Sequence, residues 1–289
     1  MMFFERLINA SSKNRIKHVI DMRATEVITM EVLLYLISLI NIWKKKKYKF
    51  KLDLRAPTKD DLQFLLATSG LGKYMRGNGS GHVGEENIYP MCDGGHDTID
   101  PEQDVNQNDR CIEISDFTRK MLVSNSTALL EKSSLNNKLF KLSNIIAEMM
   151  RNTDDHAYDE EADEFTPLRN WYFFAGKVQD GVSFYFLDNG KGIIKTAKQK
   201  LSDFSVYLGA SNIESKIMEE VLSGEFRSRT KLPNRNKGLP EIKDFFVSDD
   251  ILISTIITNN VVYNHIDGKE NFVVTKIPFR GTLYIWIVK

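Results

Sequence analysis

Two short glycine-bearing stretches and one polar helix stripe carry the residues that could do chemistry. In "LDNGKGI" an acidic residue, Asp188, closes a run of strand-forming residues and is followed by Gly190, Gly192 and Ile193. Glycine has no Cβ, so a ligand can approach such a backbone closely. A carboxylate at that point can accept a hydrogen bond from an exocyclic amine of the kind adenine carries. In "RNKGLPEI" Gly238 and Leu239 stand just before a helix, "LPEIKDFF", and backbone N–H groups at a helix start suit an anion. Between the two lies 195–237, ending in the basic "FRSRTKLPNRNK"; it is either a lid over phosphates or a solvated basic loop. Upstream, "EMMRNTDDHAY" sets Glu148, Asn152 and His156 four residues apart. Four residues of helix turn through about 400°, so each lags the last by about 40° and the three form one stripe. A solvated face has the same pattern, so the stripe alone does not choose.

These residues need elements to hold them. Leu139, Leu142, Ile146 and Met149 give the helix under the stripe an apolar side for a core. Residues 118–157 read as mostly helical, with a break near 133–137. "NWYFFAGKVQDGVSFYFLDNGKGI" reads as a β-hairpin turning at Gln179-Asp180-Gly181. "DILISTIIT", "NVVYNH", "NFVVTKI" and "TLYIWIVK" are further strand candidates. Ile213, Ile217, Met218 and Val221 recur at helical spacing inside the lid segment. Helices followed by antiparallel strands indicate a layered α+β domain. Nearer the N-terminus, "HVIDMR" reads as a strand, 27–44 as a helix and "YKFKLDLR" as a strand. "TKDDLQFLLATSG" reads as a helix capped by Thr58 and stopped at Gly70. That order implies two parallel strands with helical crossovers. Residues 76–110 are rich in Gly, Asp, Asn and Glu and read as a loop, after which "RCIEISDF" reads as a strand.

Composition bounds the function. The chain has 289 residues, enough for about two domains. Lys+Arg and Asp+Glu are equal at 39 each, so bulk charge gives no reason to expect nucleic acid or an anionic surface. Cys92 and Cys111 make no disulfide framework, which suits a reducing cytosol. With His82 and His96 they are too loosely spaced for a structural zinc site. The apolar run 27–43, followed by "KKKKYKFK", has the look of a membrane span. As a helix it reaches only about 26 Å, against about 30 Å of hydrocarbon, so a buried helix is the better reading. No secretory signal is evident, and a cytoplasmic location is expected.

Taken in order, Glu148-x3-Asn152-x3-His156, Asp188-x-Gly190-x-Gly192, Gly238-Leu239 and Gly281-Thr282 resemble the motifs of the GHKL ATPase superfamily. That superfamily includes gyrase, heat-shock chaperones, sensor histidine kinases and mismatch-repair ATPases. The form "E…N…HAY" is most similar to the anti-sigma-factor serine kinases. The resemblance covers about 115–289; it departs at Lys237, where the family often has glycine. It implies a two-layer α/β sandwich of the GHKL (Bergerat) type, with ATP and Mg²⁺ as ligands. Glu148 would orient or activate the attacking water or hydroxyl, and Asn152 would bind Mg²⁺. Asp188 would read the adenine amine, with Gly190, Gly192, Ile193 and Thr282 around it, and Gly238 and Leu239 would meet the phosphates. Asp155 and His156 either line the ribose–phosphate edge or, for His156, cap the helix. Lys195, Arg229 and Lys237 would offset phosphate charge. Residues 1–76 are similar to STAS modules, which are partners of those same kinases. Where such partners carry a phosphorylatable serine, this chain has Thr29-Met30-Glu31, so a docking role is expected instead. The resulting expectation is a STAS-like module (1–76), a loop or connector (77–114) and a GHKL ATP-binding domain (115–289). Its function would be to switch a protein partner with Mg-ATP, by hydrolysis or phosphoryl transfer. The alternative is a non-catalytic nucleotide-gated binding or scaffold protein. No nucleic-acid module and no membrane span are expected, and a homodimer is left open.

Overall fold

The computed structural model describes residues 17–45, 51–71, 88–95, 107–125, 132–156, 170–200, 212–226 and 237–289. Its centre is a five-stranded sheet in the order β3-β4-β5-β7-β6, antiparallel at every pairing. The strands are β3 (Ile88–Gly95), β4 (Asn170–Val178), β5 (Gly181–Asp188), β6 (Ile251–Ile266) and β7 (Lys269–Val288). β4 and β5 are the hairpin expected from the sequence, with Val178 opposite Gly181. Among the described residues the architecture is therefore mixed α/β around an antiparallel sheet.

Side chains alternate across a strand, and here both alternating sets are apolar. Val182, Phe184 and Phe186 of β5 enter one core with Trp171 and Phe173 of β4 and with Tyr284, Trp286 and Val288 of β7. That face is covered by α3 (Gln107–Asn125), α4 (Lys132–His156), α6 (Ile213–Ser223) and α7 (Gly238–Phe246). The four residues of the apolar stripe on α4, Leu139, Leu142, Ile146 and Met149, are all buried there. Tyr172, Phe174, Leu187 and Leu283 face the other way and enter a second core.

The second core is closed by α1 (Met30–Lys45). Leu33 to Asn41 are buried without exception, so this part of the helix is enclosed on every side. The sheet lies on one side of it. Ile20 after the start of β1 (Lys17–Asp21), with Leu66 of α2 (Asp60–Thr68) and Leu71, belongs to the same core. β1 pairs in parallel with β2 (Lys51–Arg55), as the strand–helix–strand order requires. A helix that is apolar all round is a buried helix, which accounts for its membrane-like composition. Among the described residues no helix is long and apolar enough to cross a membrane.

Several local expectations are corrected. The stretch 77–114 is not loop throughout, because it supplies edge strand β3 and the first turns of α3. "RCIEISDF" lies within α3: Cys111, Ile114, Thr118 and Met121 are buried at helical spacing. Helix α4 runs unbroken through 133–137. Thr58 does not cap α2, which starts at Asp60 after Lys59; its hydroxyl donates to the Arg23 carbonyl instead. The four late strand candidates are two long strands, β6 and β7, whose register shifts around Asn259. Where a two-layer α/β sandwich was expected, the second face of the sheet is covered by α1, making a third layer.

Candidate functional site

Asp188 is the last residue of β5 and stands opposite Thr282 of β7. Its side chain is buried, and its Oδ1 accepts the Gly190 N–H at 2.8 Å. Burial pushes its carboxyl up from 3.8 to about 6; hydrogen bonds from Gly190 and from the Thr282 side chain and backbone oppose that rise. A carboxylate held this way keeps an acceptor of high basicity in a dry place. Gly281 is required beside it: at φ +91 its backbone is left-handed, and an added Cβ would lie 1.9 Å from the Asp188 carbonyl oxygen.

The turn after Asp188 is tied to β6. The Thr258 hydroxyl accepts the Ile193 N–H at 2.8 Å and donates to the Gly281 carbonyl at 3.1 Å. Asn259, itself at φ 49, donates from Nδ2 to the Lys191 carbonyl at 2.8 Å and accepts the Lys195 N–H at 3.1 Å. The same carboxamide fills the space where a side chain on Gly192 would point, with Oδ1 2.6 Å from an added Cβ. Asp188, Gly190, Gly192, Ile193 and Thr282 thus form one connected cluster at the head of α5 (Ile193–Lys200).

The stripe on α4 does not simply face water. The Glu148 side chain is 14% exposed, with Oε2 2.7 Å from the Arg151 guanidinium. Burial raises its carboxyl above the ordinary range; Arg151 opposes the rise, and Glu241 and Asp155 add to it. Its Oε1 occupies the space beside Gly238, where an added Cβ would come within 1.8 Å. Glycine at the start of α7 therefore lets that helix meet the carboxylate. Asn152, one turn further along, is half-buried, and its Nδ2 has no hydrogen-bond partner among the described residues. Tyr284 links the two halves: buried in β7, its hydroxyl is pushed up by burial first, then by the charges of Asp188 and Glu148.

The remaining expected residues are placed as follows. Asp155 is exposed on α4, and His156 is the last residue of that helix. Lys195 is exposed and contributes its backbone N–H to Asn259. Lys237 is exposed at the N-cap of α7, and Leu239 packs against the first core. Arg229 lies outside the described residues, as do 201–211 and 227–236 of the expected lid. Ile217 and Met218 are buried on α6, as their spacing predicts.

Thr258, Asn259 and Tyr284 were not found from the sequence. Asn259 had a usable signal: asparagine in the middle of an apolar strand run is the residue type that tolerates a left-handed backbone. Thr258 and Tyr284 had none, since each reads as an ordinary strand residue.

Among the described residues no group of three or more His, Cys, Asp or Glu side chains could hold a metal ion. The Asn152 carboxamide is half-buried one turn from Glu148, and its oxygen, rather than the unpartnered Nδ2, is the atom that would serve as one ligand of a Mg²⁺ whose remaining ligands are phosphate and water. A search of protein-family models finds none that matches the chain, and a search of curated proteins finds no match.

Proposed function

We propose that this protein binds ATP with Mg²⁺ at the end of the five-stranded sheet and uses it to switch a protein partner, as a GHKL-type ATPase or protein-kinase-like regulator. The observation that carries the reading is the Asp188 cluster. A buried carboxylate, anchored by Gly190 and Thr282 and bordered by glycines that no side chain could replace, is a recognition device for a ligand amine. Glu148 and Gly238 supply the second element, a carboxylate of raised basicity facing the start of a helix suited to phosphate. The sheet order, with α3 and α4 on the same face, is compatible with a GHKL-type fold.

In this reading Asp188 accepts the adenine N6 amine. Gly190, Gly192 and Ile193 give the base close access to the backbone, and the α7 amides behind Gly238 and Leu239 receive phosphate oxygens. Glu148 accepts the proton of a water or partner hydroxyl as its oxygen bonds to the γ-phosphorus and the bond to ADP breaks. Mg²⁺, when bound through Asn152, would neutralise phosphate charge. A second reading, an ATP-gated binder without turnover, is favoured by the Arg151–Glu148 ion pair, which engages Oε2 and offsets part of the rise in basicity.

Titration of the folded protein with Mg-ATP tests the reading. Asp188→Ala is expected to weaken ATP binding by about ten- to a hundredfold, the worth of a hydrogen bond to a charged group. Unchanged affinity in a folded variant refutes the adenine assignment. Glu148→Gln keeps ATP and loses turnover if the protein is an enzyme; a wild type that binds ATP and never turns it over selects the second reading.

A further inference from the structure

Asn189 follows Asp188 directly, and its side chain goes to the opposite face of the sheet. Asp188 meets Thr282 and acts through its charge on the Tyr284 hydroxyl on the α4 side, whereas Asn189 is buried against α1. Asn189 lies one residue past the end of β5, and this opposite placement makes the two side chains the ends of one short lever.

The α1 end of the lever is Ser38. It is fully buried, and its hydroxyl lies 2.7 Å from the Tyr35 carbonyl and 3.2 Å from Asn189 Oδ1. One hydroxyl proton cannot serve two acceptors. If it goes to the closer one, Tyr35, the Asn189 carboxamide satisfies Ser38 by turning over and donating through its N–H. Asn189 Nδ2 has no other partner among the described residues, so Ser38 is what orients this amide.

We propose that Ser38 is a positioning residue for the nucleotide turn: through the Asn189 side chain it fixes the two peptides that join Asp188 to Gly190, so that α1 sets how well the pocket accepts adenine. The inference rests on the nucleotide reading above. It gives the N-terminal unit a direct hold on the site from behind the sheet. Adenine presents an amine to Asp188 where guanine presents a carbonyl oxygen, so a carboxylate held in place rejects guanine. A loosened turn loses that discrimination before it loses phosphate binding.

The test uses the full chain carrying Ser38→Ala, Asn189→Ala, the pair together, and Asn41→Ala as a control. Asn41 is buried one turn further along α1 but lies 3.5 Å from the Tyr172 hydroxyl rather than near the turn. Hydrogen exchange at the Gly190 and Ile193 amides is followed without ligand, and ATP and GTP affinities are measured with Mg²⁺. Ser38→Ala is expected to speed exchange at both amides and to lower the ATP-over-GTP preference, each by about three- to tenfold. Asn189→Ala does the same from the other side, the double variant is no worse than either single one, and Asn41→Ala changes neither readout. Wild-type exchange and preference in folded Ser38→Ala and Asn189→Ala overturn the proposal, as does an equal effect of Asn41→Ala. A wild type that binds no adenine nucleotide removes the nucleotide reading instead, and the exchange data then decide the Ser38 link alone.

Discussion

Asp188→Asn separates the charge of the buried carboxylate from its shape. The amide keeps an oxygen for the Gly190 N–H but meets Thr282 with the wrong group, a fixed loss at every pH. The wild-type carboxyl titrates instead, and its rise from 3.8 to about 6 is worth about 3 kcal/mol at roughly 1.4 kcal/mol per pH unit. The native state holds this proton more tightly than the unfolded chain does. The stability it confers is therefore complete below about pH 4 and is lost as the pH rises through about 6. Relative to the asparagine variant, wild type should gain about 2–3 kcal/mol between about pH 7 and pH 4. All other carboxylates titrate in both proteins and cancel in the difference. Urea unfolding of the two proteins at matched pH values gives that difference directly. Curves that stay parallel, within about 0.5 kcal/mol over that range, would mean that Asp188 is not held in a dry site, and the argument from its burial would fail.

Two further substitutions probe the packing of the site. Gly238→Ala should destabilise by about 1–3 kcal/mol through overlap with Glu148, and should cost under about 0.5 kcal/mol when Glu148→Ala has removed the obstacle; equal costs in both backgrounds, read from denaturant midpoints, would show that the two do not touch. Asn259→Ala loses its bonds to Lys191 and Lys195 and strains a left-handed residue, for about 2–3 kcal/mol. Asn259→Gly keeps the backbone free and should recover about 1 kcal/mol of that; identical thermal unfolding of the two variants would deny the strain.

How much of this was legible in the sequence depended on whether one period stood alone. The β4–β5 hairpin, the parallel β1–β2 pair and the α4 stripe each show a single clear pattern, and each is found where expected. "RCIEISDF" carries two patterns: Cys111, Ile112 and Ile114 suggest strand, and only the wider spacing to Thr118 and Met121 reveals the helix. "VSFYFL" in β5 was the overlooked clue to architecture. A near-continuous apolar run, interrupted here only by Ser183, marks a strand buried on both faces, so the sheet needed a second cover, and the enclosed α1 is that cover. In the candidate site, Asp188 and the glycines stand out in the sequence because their chemistry is local. Thr258, Asn259 and Tyr284 reach it only through strand pairing, which no local pattern records.

The place of β7 in the sheet has a consequence for how the molecule is made. β7 lies between β5 and β6, and both precede it in the chain. During translation β5 therefore waits with an open edge, and the apolar residues of β6 wait with no neighbour, until β7 leaves the ribosome. Unpaired apolar strands of this kind are open to wrong partners. Insertion of β7 closes the sheet and in the same event brings Thr282 to Asp188 and Gly281 beneath it. A nascent chain paused before Thr282 can hold the hairpin and its helices, yet it lacks the Thr282 groups that help anchor the Asp188 carboxylate. The Asp188 cluster is thus completed only by the closing strand.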